Sequence, residues 1–131
     1  MGSYLYSELK QDTLEEFNEY LNEYDNSILK ATARVLEESI RCINEKQFYR
    51  DAIYVVIATE SLKNNVIVKS ILDEVKEMLK KGKISHDISD EDNAPFISDI
   101  QQLKYMLENA SFKVVEFDEV FINRLRLLMN S

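Results

Sequence analysis

The chain has 131 residues, 45% hydrophobic and 31% charged, with 24 acids against 16 bases and a formal net charge of −8. That composition suits one globular core and excludes a disordered chain. The acidity argues against direct binding to nucleic acid or to an anionic membrane, both of which need clustered Lys and Arg.

The longest apolar run is Ala52–Ala58, far short of the roughly 20 residues that cross a bilayer. The opening MGSYLYSELK lacks the basic and apolar regions of a signal peptide. Gly2 with Ser3 meets only part of a myristoylation pattern, because Tyr6 stands where Ser or Thr is required. Cys42 is the only cysteine, which fits a reducing cytoplasm and reads as a packing residue. Two Gly and one Pro in the whole chain leave little turn chemistry for a sheet protein. The expectation is an all-α single domain over residues 1–131, a bundle of five to six helices.

In chain order, Thr13-Leu-Glu-Glu16 reads as a capping box, followed by Leu14, Phe17, Tyr20, Leu21 and Tyr24 at helical spacing. Residues 3–11 form an earlier turn or extend that helix. Asp25-Asn26-Ser27 breaks the chain and opens a second helix to about Lys46, with Ile28, Thr32, Val35, Leu36, Ile40 and Ile43 inward. Residues 48–63 contain the β-branched run Ile53–Ile57, where a strand competes with a helix. A lone strand would leave its backbone groups unpaired, and Asp51 early with Lys63 late suits the helix dipole. A buried central helix is therefore expected there.

Asn64-Asn65 marks the next break. A helix is expected from about Asn65 to Lys81, ending in Lys80-Lys81-Gly82: cations at the negative end, then a left-handed cap. Another is expected to begin near Pro95, capped by Asp92 or Asn93, and to run to about Asn109 with Ile97, Ile100, Leu103, Met106 and Leu107 on its apolar side. Residues 112–117 are the second place where an extended strand competes with a helix. The last helix is expected from about Phe117 to Met129.

Metal, catalytic and phosphate sites are poorly supported by spacing. His86, Asp87, Asp90 and Asp92 are close in sequence, but a calcium loop starting at Asp90 would place Ala94, Pro95 and Gln101 at its diagnostic positions. Zinc needs more His or Cys than one of each. His86 then reads as a surface or helix-end residue. Neighbouring acids such as Glu15-Glu16, Glu37-Glu38 and Asp73-Glu74 point about 100° apart on a helix, not toward each other, and read as solvated faces beside Lys and Arg. Gly2 and Gly82 cannot build a phosphate loop. No cofactor, metal or catalytic residue is assigned, and the chain is read as a binding protein rather than an enzyme.

The acidity is concentrated. Residues 1–25 carry seven acids and one Lys, and 87–108 carry six acids and one Lys, while 26–86 hold eleven bases and eight acids. On the first helix, Asp12, Glu16, Glu19 and Glu23 recur at i, i+4, i+7 and i+11, a single stripe opposite the Leu14/Phe17/Leu21 face. Like charges at this spacing repel, so the stripe reads as a surface for a cationic partner, with Tyr20 at its border as an anchor. The second acidic group is Asp87, Asp90, Glu91 and Asp92.

With these two groups on a small, helical, motif-free chain, the profile resembles the immunity proteins of bacterial toxin–immunity systems. The resemblance implies a non-catalytic inhibitor that binds a basic, nuclease-type toxin domain and occludes its active site. Two alternatives stand beside it: an acidic inhibitor that mimics nucleic acid, as in phage anti-defence proteins, and a self-assembling helical adaptor. The oligomeric state is left open.

Overall fold

A computed structural model describes residues 5–81 and 90–129, with backbone alone for 90–93. Among these residues the chain forms helix α1 (Tyr6–Glu23), α2 (Ile28–Glu38), α3 (Ile40–Glu45) and α4 (Gln47–Lys63), then strand β1 (Val66–Val68). Helices α5 (Lys69–Lys81) and α6 (Asp90–Asn109), strand β2 (Lys113–Val115) and helix α7 (Glu119–Met129) follow. The all-α expectation holds, with seven described helices in place of five to six and one small parallel strand pair. Among the described residues no helix is long and apolar enough to cross a membrane.

Helix α4 is the hub. It packs against α1, α3, α5 and α6, and every side chain from Phe48 to Ala58 except Arg50 is buried. Its β-branched run therefore forms a helix because apolar neighbours surround it, and tertiary burial outweighs the local preference for strand. Thr59 Oγ1 donates back to the Val55 carbonyl at 2.8 Å, which occupies a hydroxyl that burial would otherwise strand. An aromatic group ties two helices to this hub. Phe96 of α6 lies 4.7 Å from Tyr6 of α1 and 5.6 Å from Phe48 of α4, between ring centroids.

Several boundaries differ from the sequence expectation. Thr13 is buried in the interior of α1 and does not cap it. The helix begins seven residues earlier at Tyr6, where Glu8 Oε1 accepts the Leu5 N–H at 3.0 Å. The second expected helix is interrupted at Ser39 (φ −99°, ψ 5°), a residue type whose hydroxyl competes for backbone groups. Helix α6 begins at Asp90, not at Pro95; Pro95 is its sixth residue and forfeits only one early backbone bond. Helix α7 starts at Glu119, where Asp118 Oδ1 accepts the Phe121 N–H at 2.8 Å, two residues after the expected Phe117.

The largest correction concerns residues 66–68, expected as the first turn of a helix. Asn65 adopts a left-handed backbone (φ 60°) that ends α4 and redirects the chain, and Val66–Val68 is extended. Its partner lies in the second ambiguous run, 112–117, with Val66, Ile67 and Val68 opposite Lys113, Val114 and Val115 in parallel. Ile67 and Val68 are fully buried. Residues 113–115 are thus a strand, and each run supplies the backbone partner that neither could find locally.

The break at Asp25–Ser27 is as expected. Asp25 and Asn26 are both left-handed (φ 53° and 65°), tolerable for Asx side chains, and Ser27 Oγ accepts the Lys30 N–H at 3.2 Å. Gly82, His86 and Asp87 lie outside the described residues, so their expected roles do too.

Candidate functional site: an acidic face shared by three helices

The predicted stripe is present on α1. Asp12, Glu19 and Glu23 are exposed and Glu16 is half-buried, on the side of the helix away from Phe17 and Leu21. What the helix packs against determines the electrostatics. Lys10, the one cation on α1 near the stripe, is not available to it: its Nζ pairs with Asp99 of α6 at 2.8 Å. Tyr6 also donates its hydroxyl to Asp99. Burial first, then Asp99, pushes the Tyr6 phenol far above its ordinary value, which keeps it a neutral donor.

On the other flank the stripe gains more acid. Burial first, then the carboxylates of Glu38, Asp12 and Glu19, raises the pKa of Glu16. Glu38 comes from α2. The thiol of Cys42, half-buried on α3, is raised by burial and then by Glu45 and Glu16, with Arg41 opposing. A thiol held protonated in this way is a poor nucleophile. The face therefore gathers Asp12, Glu16 and Glu19 of α1 with Glu38 of α2 and Glu45 of α3. No three His, Cys, Asp or Glu side chains among the described residues are placed to hold one metal ion, so these carboxylates are spread over a surface rather than converging on a point.

Two cations partly offset them. Arg34 of α2 pairs with Glu38 at 3.3 Å and lies 5.5 Å from the Tyr20 ring centroid. Tyr20 thus sits at the border of the acids, as expected, with one face covered by a guanidinium. Arg41 is the other. Elsewhere three helical acids are matched individually: Glu37 with Arg124 at 2.7 Å, Asp73 with Lys69 at 2.7 Å, and Glu74 with Arg50 at 2.9 Å.

The structure joins some predicted residues and separates others. Asp12, Glu16, Glu19 and Tyr20 share one face. Glu23 lies at the C-terminal end of α1, where no basic residue occupies the last turn and the helix dipole disfavours its charge. Asp90, Glu91 and Asp92 fall in the first turn of α6, their side chains outside what is described, and Asp87 lies outside entirely. The contacts of α6 with α1 run along Tyr6, Lys10 and Phe96. At 100° per residue, Tyr6 points about 110° and Lys10 about 150° from the centre of the Asp12–Glu23 stripe. Helix α6 therefore meets α1 on a different side from the stripe. Sequence reasoning did not place Glu38, Cys42 and Glu45 on this face, because Glu38 ends α2 and the other two belong to α3.

Comparison with protein-family models, with curated proteins and with solved structures found no match to this chain.

Proposed function

We propose that the chain is a non-catalytic binding protein of the toxin–immunity kind, whose α1–α2–α3 acidic face engages a basic, nuclease-type toxin domain and occludes its active site. One observation carries the reading. Glu16 is held among Glu38, Asp12 and Glu19 while the only nearby cation of its own helix is committed to Asp99. Gathering like charges costs stability, and a cationic partner would offset that cost while being steered toward the face. The protonated, half-buried thiol of Cys42 suits a bacterial cytoplasm, where such an inhibitor would act.

The test is co-expression with the product of the adjacent gene. Recovery of growth together with a stable complex is expected; a harmless product that does not bind overturns the toxin–immunity reading. Within a complex, Glu16→Lys with Glu19→Lys should slow association and flatten its salt dependence. An unchanged association rate would assign these acids to plain solvation.

A further inference from the structure

Helix α7 carries apolar side chains on both of its faces. The inner face, with Leu125 buried and Phe121, Ile122, Leu128 and Met129 half-buried, leans on α3, where the Asn44 side-chain amide donates to the Leu128 carbonyl at 2.8 Å. The outer face presents Val120 and Leu127, 79% and 76% exposed, the two most exposed large apolar side chains among the described residues. Seven residues apart, they stand about 20° from each other round the helix, so they form one stripe. A helix that is apolar on all sides is ordinarily buried; this one is covered on its inner face alone.

The charges around the stripe fit a second copy of the same chain. Glu119 and Arg126 lie on one edge of it, within about 20° of each other round the helix, and neither has a charged partner among the described residues. Arg124, on the other edge, is held by Glu37 at 2.7 Å. A two-fold axis reverses the direction of a helix and sets each of its edges against the same edge of the copy. Placed beside Asn123, that axis brings Val120 against Leu127 of the second copy and Glu119 against Arg126 of the second copy, and every contact occurs twice. The surface is thus complementary to itself in both shape class and charge. It also belongs to a balanced segment: residues 109–131 hold three acids and three bases, in a chain whose net charge is −8. Two copies can approach through this end with little of the repulsion that acidic faces would set between them. We propose that the outer face of α7 is a self-association surface, on which two copies of the chain pack their α7 helices antiparallel across a two-fold axis.

Sedimentation equilibrium of the full chain at low salt tests this. A helix of 11 residues supplies less contact than the roughly 1,200 Å² of a lasting interface, so the association is reversible. The mass is expected to rise from 15.4 kDa toward twice that value as the concentration increases from about 10 μM to about 1 mM. Leu127→Asp, at an exposed position, should weaken association about tenfold or more; Val120→Asp, on the same stripe, keeps the test open if Leu127→Asp disturbs α7. Glu119→Arg and Arg126→Glu should each weaken association about tenfold, because each sets two like-charge contacts across the axis. An equimolar mixture of these two variants should associate again, since every arginine at these positions then meets a glutamate. A mass of 15.4 kDa at every concentration overturns the proposal. So does association that the stripe variants leave unchanged, or a mixture no more associated than its two components. None of these outcomes bears on the acidic face.

Discussion

Along the flank of α1 that meets α6, Lys10 and Tyr6 both direct donors at Asp99, and the rings of Tyr6, Phe96 and Phe48 close over the contact. Along the flank that meets α2 and α3, Asp12, Glu16 and Glu19 meet Glu38 and Glu45, with Arg34 and Arg41 as cations among them. One helix thus presents a satisfied polar contact on one side and a concentrated negative surface on the other. The difference teaches that a charge stripe must be judged by what its neighbours do. Lys10, adjacent in sequence to the acids, serves the opposite flank.

Breaking the satisfied flank should have the largest effect. Phe96 is fully buried between Tyr6 and Phe48, so Phe96→Ala should cost about 3–5 kcal/mol in denaturant unfolding. A loss below about 1 kcal/mol would mean that α6 is not held by this packing. Next, Asp99→Ala leaves the Tyr6 hydroxyl buried without its acceptor and should cost about 1–3 kcal/mol. Asp99→Asn keeps an acceptor and gives up only the partly exposed pair with Lys10, so it should cost less. Equal losses for the two would show that the ion pair, not the tyrosine, holds the contact.

The acidic flank should respond in the opposite direction and more weakly. Glu16 binds its proton more tightly in the folded state than its ordinary value of 4.5 implies. Between that value and the raised one the native state carries more protons than the unfolded chain. Stability contributed by this group therefore falls as pH rises through the window and stays reduced at neutral pH. Glu16→Gln should then stabilise the protein at neutral pH, on the order of 0.5 kcal/mol for relief of exposed like-charge pairs. Its effect should vanish below pH 4.5, where the native glutamate is protonated as well. Asp51, raised chiefly by burial, keeps its own share of the pH slope in that variant. Destabilisation at neutral pH would show that Glu16 makes a favourable contact instead.

Much of this contrast was legible in local pattern, and its omissions have physical reasons. The breaks at Asp25–Ser27 and Asn64–Asn65 are Asx-rich positions whose side chains tolerate the left-handed backbone they adopt. Lys80 and Lys81 mark the last turn of α5 as expected. A hydroxyl three residues before a Glu is also an ordinary mid-helix pair, and only the burial of Thr13 distinguishes the two. Strand β1 was illegible, and the strand reading of residues 112–117 stayed open, because each strand is three residues long and pairs with a partner 47 positions away. A β-branched run in isolation cannot report that distant match, and the longer run at 53–57 was the stronger lure. For the candidate face, spacing revealed the α1 acids. The addition of Glu38 and Glu45 depends on how α2 and α3 lie against α1, which no single-helix periodicity contains.

Carboxylates from separate helices are held together on this face. The most direct measurement is the titration of the Glu16 side-chain carboxyl by carbon-detected NMR, in the native chain and in Glu38→Gln. An inflection above 4.5 is expected in the native chain, and a lower one once Glu38 is neutral. An inflection at or below 4.5 that does not respond to Glu38→Gln would contradict this gathering of charge.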